Sequence, residues 1–294
     1  MVNMNECPDE QKCIKKIQDV ELHIFKELEK IFKKYNLRYY AIGGTCLGAV
    51  RHQGFIPWDD DIDIVMPGED YEKFKSILSK ELPSTLSSLE YRNNKRCSFL
   101  FLKIFDNRTT FVEEENLRFP EIYSGVFVDI MPFYSLPKDQ IEREKHMKKL
   151  KNYMRCNYFI RQPIGVGKNI LERMYSIFMK VLGIVIPFYY FSDKYDKLLA
   201  KYYFDESEYV SFTWSARMEK LVFPKRYFEN YVMLPFEGGN IRCPSGWHGY
   251  LEGHYGDYKT IPPIEEQKSP HNRAIIDLNK SYKYYQKRII KFKN

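Results

Sequence analysis

The sequence predicts an α+β fold: a mixed sheet flanked by helices and carrying a helical insertion. Three observations predict it. Ile14, Ile17, Val20, Ile24, Leu28 and Ile31 recur at three- and four-residue steps among Lys and Glu, the period of one helix face. Asp61-Ile62-Asp63-Ile64-Val65-Met66 opens on acidic–apolar alternation, the period of a strand. From Lys138 to about Tyr203 strand signals vanish, and charged and apolar runs follow one another. Before that point helix and strand signals interleave, which gives the mixed architecture.

Taken in order, the first helix is predicted over 10–35, ended by Asn36. Arg38 to Ile42 is a short strand running into Gly43-Gly44, and Thr45 to Arg51 a helical turn. The strand over 61–66 puts Asp61 and Asp63 on one face and is stopped by Pro67-Gly68. An amphipathic helix follows over 69–82, with Tyr71, Phe74, Ile77 and Leu78 inward. Phe99 to Phe105, Thr109 to Val112 and Gly125 to Met131 are strand-like, and Gln140 to Tyr158 is a charged helix. Tyr175 to Phe191 is strongly apolar, with Lys180 its only charge and Pro187 inside it. A membrane-spanning helix needs about 20 largely apolar residues, so this run is short and broken. It is expected as a buried helix, with an element lying on a membrane as the second reading. The C-terminal third returns to short elements rich in Gly, Pro and aromatics, and 281–294 is a basic helix or a frayed end.

The 294 residues are long enough to bury a sizeable core, and 44% hydrophobic with 29% charged residues is ordinary globular composition. A formal net charge of +7 favours anionic partners without choosing among nucleotides, phospholipids and nucleic acid. Cys7, Cys13, Cys46, Cys97, Cys156 and Cys243 are scattered, with no Cys-x-x-Cys pair. That spacing argues against a zinc module or a small disulfide scaffold and for free thiols in a reducing compartment. Met1 to Lys16 is polar and carries no signal-peptide core, so the chain is expected in the cytoplasm, at the cytosolic face of a membrane.

The chemistry-bearing residues concentrate between 43 and 65. Gly43-Gly44 lies between a strand and a helical turn, where glycines let backbone amides approach a phosphate and Thr45 adds a hydroxyl. Asp59 to Asp63 is aspartate at every position but Ile62. Such crowding is repulsive unless cations neutralise it. Side-by-side carboxylates on a strand suit magnesium (Mg²⁺) or Mn²⁺, which keep positions for substrate phosphates. Asp129 is a lone acid in the apolar run Val126-Phe-Val-Asp-Ile-Met131, costly to bury without a cation. Asp61, Asp63 and Asp129 are therefore the expected metal ligands and catalytic residues.

A Gly-Gly-Thr turn, an Asp-x-Asp strand and one Asp on a later strand resemble the nucleotidyltransferase superfamily pattern. More narrowly, Gly48-Ala-Val-Arg-His-Gln-Gly-Phe-Ile-Pro-Trp-Asp-Asp-Asp-Ile-Asp-Ile64 is similar to the signature of the LicD family, which includes bacterial phosphocholine transferases and fukutin-type proteins. Gly125-Val-Phe-Val-Asp-Ile-Met-Pro132 and Tyr255-Gly-Asp-Tyr258, followed by Pro262-Pro263 and His271, extend the likeness over about 20–275. The stretch from Lys138 to Tyr203 carries no matching motif. The resemblance implies transfer of a phospho-alcohol from CDP-choline or another CDP-alcohol to a glycan hydroxyl, with release of CMP. It implies residues 1–137 as a nucleotidyltransferase-like catalytic core, 138–204 as a helical insertion facing a membrane or an acceptor, and 205–294 as completing the catalytic domain. In that setting Mg²⁺ bridges the donor pyrophosphate to Asp61 and Asp63, and Asp129 holds a second metal or takes the acceptor proton.

Secondary candidates keep two readings each. Arg51 and His52 contact the pyrophosphate or pair with the aspartates. Lys103, a lone cation in Phe101-Leu-Lys-Ile-Phe105, contacts a phosphate or a carboxylate. Trp58 and Phe55 stack on a ligand or belong to the core, and Asp59 and Asp60 bind metal or support those that do. Tyr255, Asp257 and His271 supply an aromatic face and a carboxylate to a cationic alcohol, or form a turn that packs the C-terminus on the sheet. Trp247 and His248 share that ambiguity. The acceptor is expected to be a lipid-linked glycan of teichoic acid or lipopolysaccharide, with peripheral membrane contact. No RNA-binding module is recognisable, so nucleic acid is not an expected partner. Two other functions fit the same residues: NMP transfer from an NTP, and a non-catalytic membrane-peripheral binding protein.

Overall fold

A computed structural model describes residues 10–202, 204, 207–212, 221–269 and 271–293. Cys7 lies outside them. They form two compact units, one of residues 1–89, 102–132 and 226–294, the other of 90–101 and 133–225.

The first unit begins with α1 (Glu10–Lys34), whose inner face buries Ile14, Ile17, Ile24, Leu28 and Ile31. The same stripe carries Gln18 and Glu21 inward, both under 5% exposed. Asn36 ends the helix in the left-handed region (φ 51°), and Leu37 N–H closes on the Phe32 carbonyl at 2.8 Å. A two-residue strand β1 (Tyr40–Ala41) leads into α2 (Gly43–His52), so the expected helical turn starts two residues earlier, at the glycine pair. β2 (Asp63–Pro67) and α3 (Gly68–Glu81) follow, then β3 (Leu86–Leu89), β4 (Leu102–Asp106) and β5 (Thr110–Glu113). β6 (Phe127–Leu136) is longer than the expected 125–131 and runs on through Pro132.

The sheet order is β1-β2-β6-β4-β3. β2 pairs with β1 through Tyr40↔Val65 and Ala41↔Ile64, and β4 sets Lys103 opposite Asp129 on β6. β2 and β6, the two strands that carry aspartates, are thus neighbours. The sequence expected Asp61 inside the second strand; the strand begins at Asp63. Asp61 precedes it, in a segment held to β6 by Asp129 N–H donating to the Ile62 carbonyl at 3.0 Å.

In the second unit the end of β6 pairs with β7 (Tyr209–Ser211), which pairs with β8 (Val222–Pro224). Three helices belong to it: α4 (Gln140–Arg161), capped by Asp139, α5 (Ile170–Val185), capped by Asn169, and α6 (Tyr190–Leu199). Tyr91, Leu100, Leu136, Met147, Leu150, Tyr195 and Leu199 form its core. The expectation of a buried helix over the apolar run is corrected. α5 packs on α4 through Met179 against Phe159 and Ile160, and leaves Leu171 73% and Ile184 82% exposed. The helix packs chiefly on α4, and its apolar residues run around more than that one face.

The first unit closes with a hairpin the sequence reading did not delimit. β9 (Tyr231–Phe236) and β10 (Gly239–Pro244) turn over Glu237-Gly238, both at positive φ (48° and 73°), the geometry of a two-residue hairpin turn. Then come α7 (Trp247–Tyr255), β11 (Arg273–Asp277), paired with β5, and α8 (Tyr282–Lys293). The basic tail is therefore a helix, anchored by Tyr285, whose hydroxyl donates to Asp277 at 2.7 Å.

Candidate active site

β1 ends beside β2, so the turn after it opens next to Asp63. Gly43 takes φ +55°, and a Cβ there would stand 3.2 Å from Asp63 Oδ2; a Cβ on Gly44 would stand 2.0 Å from Asp59 Oδ2. Glycine is required at 44 by this close approach rather than by its dihedral. Thr45 does not point its hydroxyl outward as a ligand donor: its Oγ1 accepts from Asp63 N–H at 2.8 Å. Gly43 N–H donates to the Tyr250 hydroxyl at 2.8 Å. The α2 N-terminus and the aspartate strand are thus one rigid piece.

Around it the carboxylates crowd. Burial pushes Asp63 well above the ordinary carboxylate range, with further pressure from Asp61, Asp129 and Asp59. Burial also raises Asp59, with Asp61 and Asp60 adding to it, and raises Asp61, against which His271 works. Asp129 is pushed up to about 6 by burial, with Lys103 opposing and Asp61 reinforcing the shift. Glu21, arriving from α1, is raised well above its usual range by burial and by Asp61, Asp60, Asp59 and Asp63, and its Oε2 is buried with no hydrogen-bond partner.

Three cations answer this charge. Lys103 Nζ lies 3.2 Å from Asp129 Oδ2 and 3.3 Å from the centroid of the Phe127 ring. Burial pulls its pKa down, but Asp129 and Glu113 more than restore it, and the net shift is upward. His271 sits just before β11, with Nδ1 3.0 Å from Asp60 Oδ1 and Nε2 3.8 Å from Asp61 Oδ2. Burial opposes its charge, yet Asp60 and Asp61 raise it to about 9, so it is an imidazolium at neutral pH. Asp60 is fully buried and gathers the C-terminal segment: Ser269 Oγ donates to it at 2.6 Å, and Arg273 Nε stands 3.6 Å away.

The other expected residues separate. Tyr255 belongs with the cluster: its hydroxyl lies 3.9 Å from the Gly43 Cβ position, and its pKa is raised by burial and by Asp59, Asp63 and Asp61. Arg51 and His52 lie at the far end of α2. The Arg51 guanidinium donates to the backbone carbonyls of Tyr258 (3.1 Å) and Thr260 (3.3 Å), and to neither a carboxylate nor the phosphate turn. Asp257 accepts from the Thr260 hydroxyl at 2.6 Å, the turn-forming reading. His248 Nδ1 meets the Tyr258 hydroxyl at 2.8 Å, and Trp247 packs on the same ring. Trp58 is half-buried edge-on to His52, and Phe55 is core against Phe236. Glu21, Glu113, Ser269 and Arg273 escaped the sequence reading. Only Glu21 carried a signal, as an acid four residues after Ile17 on an apolar helix stripe.

The donor set fits a hard divalent cation. Its ligands are oxygens, the carboxylates outnumber Lys103, His271 and Arg273, and Asp129 Oδ1 is buried with no hydrogen-bond partner. Among the described residues, no three His, Cys, Asp or Glu side chains already converge as a coordination cage. Lys103 holds the other oxygen of Asp129, so ion binding requires rotation of these carboxylates.

Residues 36–164, which hold the Gly43 turn, the aspartate strand, Lys103 and Asp129, match the family described as LicD/FKTN/FKRP, nucleotidyltransferase domain. Over 265 residues, 86% of this chain and 94% of the other, it is 29% identical to the lipopolysaccharide cholinephosphotransferase LicD of Haemophilus influenzae. The chain is a phosphotransferase, and its residues 36–164 carry a LicD-type nucleotidyltransferase domain. It is also 25% identical, over 122 residues, to the ribitol 5-phosphate transferase FKRP of human and of mouse, covering 42% of this chain and 21% of theirs. The α+β core described above is accordingly nucleotidyltransferase-like, and Tyr255, Asp257 and His271 fall outside the matched domain.

Proposed function

We propose that the chain transfers phosphocholine, or a related phospho-alcohol, from a CDP-linked donor to a hydroxyl of a lipid-linked glycan of the teichoic-acid or lipopolysaccharide kind, releasing CMP. The observation that supports this reading is that the Asp61–Asp63 segment runs against the strand carrying Asp129, beside the α2 N-terminus, in a chain similar along most of its length to a cholinephosphotransferase.

The acceptor oxygen attacks the phosphorus nearer the alcohol, a new P–O bond forms, and the bond to CMP breaks. Asp61, Asp63 and Asp129 would hold Mg²⁺ or Mn²⁺, which would supply positive charge against the pyrophosphate and the departing CMP. The chain's own residues do the rest. Backbone amides at the start of α2 receive a donor phosphate, where the helix dipole favours an anion. Asp129 Oδ1, unpaired by hydrogen bonds and raised to about 6, accepts the acceptor's proton as general base. Lys103 fixes its other oxygen. His271 holds Asp60 and keeps the loop of aspartates in register.

The test is incubation of the purified chain with Mg²⁺ or Mn²⁺ and CDP-choline, CDP-ethanolamine, CDP-glycerol, CDP-ribitol, CTP or ATP, reading thermal stabilisation and CMP release in the presence of a glycolipid acceptor. One CDP-alcohol that stabilises the chain and yields CMP, with both effects lost in Asp61→Ala/Asp63→Ala, supports the reading. Stabilisation by triphosphates alone sinks it in favour of NMP transfer.

A further inference from the structure

We propose that α5 is a membrane-surface helix, which lies flat on an anionic bilayer with its outer face in the headgroup–acyl boundary. Ile170, Leu171, Met174, Ile177, Phe178, Val181, Ile184 and Val185 are each 48–82% exposed. At 100° per residue these positions fall within one arc of about 140° along the whole helix. The opposite side, Ser176 and Met179, is the buried one.

The length fits lying on a bilayer and not crossing it. Sixteen residues span about 24 Å, short of the roughly 30 Å hydrocarbon core. Among the described residues no single helix is long and apolar enough to cross a membrane, and α5 meets the requirement with α6 only as a pair bent by 94°. α6 is not available for insertion: Tyr195 and Leu199 are buried in the core of its unit. The bend presents Tyr189 and Tyr190, 42% and 40% exposed, side chains suited to a headgroup layer.

Charge chooses the occupant. Arg173 is exposed along one edge of the apolar arc and Lys168 is exposed just before it, while Lys180, further along the same edge, donates to the Ile160 carbonyl at 2.8 Å. From Arg173 to Ser192 there is no Asp or Glu. An anionic lipid surface meets Lys168 and Arg173 favourably, since basic side chains beside an apolar helix face are drawn to anionic headgroups. A second copy docked by the same face would bring its own cations with no carboxylate on this stretch to pair them. The inference stands apart from the transfer chemistry, since it concerns binding without donor or acceptor.

The experiment is flotation of the full chain with vesicles of phosphatidylcholine, with or without phosphatidylglycerol, alongside light scattering without vesicles. The variants are Ile177→Gln/Phe178→Gln/Val181→Gln, all exposed positions outside the packed face, and Arg173→Gln. The expected result is flotation with phosphatidylglycerol vesicles at least tenfold above neutral ones, abolished in the triple variant, weakened in Arg173→Gln and reduced by salt, with circular dichroism unchanged. Absence of wild-type flotation, or equal flotation of the triple variant, overturns the proposal. So does concentration-dependent dimerisation that the triple variant abolishes, which would make the face an interface between copies.

Discussion

Lys103 and Asp129 face each other across the β4–β6 pair with Nζ 3.2 Å from Oδ2, and both are buried. Each is affordable there only because of the other. Removing one partner of such a pair costs about 3–5 kcal/mol. Lys103→Met is expected to lower unfolding stability by that order and to move the acidic limb of activity, set by Asp129, upward from about 6, because Lys103 helps hold Asp129 down. Denaturant melts and a pH–rate profile check both. Adding Asp129→Asn is expected to recover most of the stability and none of the activity.

Asp63 is held well above the carboxylate range by burial and by Asp61, Asp129 and Asp59. Relieving that repulsion is expected to stabilise the metal-free chain while destroying its function. Asp63→Asn should raise the melting temperature in chelator. It should abolish the rise that Mg²⁺ gives the wild type and reduce CMP release by 100-fold or more, on the order of one lost electrostatic contact in a transition state. A variant less stable than wild type in chelator would contradict the electrostatic account.

Gly44 has no room for a methyl group, because Asp59 Oδ2 would stand 2.0 Å from it. Gly44→Ala must displace Asp59 and, through it, the aspartate loop. Donor-dependent turnover is expected to fall at least tenfold, a change of about 1.4 kcal/mol. Gly238→Ala, in the distant β9–β10 turn, meets nothing within 4 Å and serves as the control for a merely destabilising glycine change.

His146 on α4 is buried, its Nε2 has no hydrogen-bond partner, and burial with Lys201 and Lys149 nearby lowers its pKa to about 4. Unfolded, it titrates near 6.5. Between those values the unfolded chain binds the proton and the folded chain does not, so stability is full above about 6.5 and lost as pH falls toward 4. His146→Leu is expected to flatten this part of the melting-temperature profile. Parallel wild-type and variant curves from pH 7 to 4.5 would refute it.

The sequence by itself determined much of this protein. Period-3.6 and period-2 patterns placed α1, α3 and β2 to within a few residues, since those patterns are the burial requirement written along the chain, and charge-rich composition placed α4. The density of Asp59 to Asp63 behind Gly43-Gly44 located the chemistry, because so many carboxylates and a tight turn have few other uses. What only the tertiary structure decided is how far-apart residues answer one another. Strand order set β6 beside β2, and pairing with β4 handed Asp129 its lysine. The β5–β11 pairing brought His271 and Arg273 onto Asp60 from more than 200 positions away, while Arg51, adjacent in sequence, was turned to backbone carbonyls instead. The outward face of α5 was likewise undecidable from its composition. An apolar helix looks the same in sequence whether a second layer covers it or not, and burial is a property of neighbours.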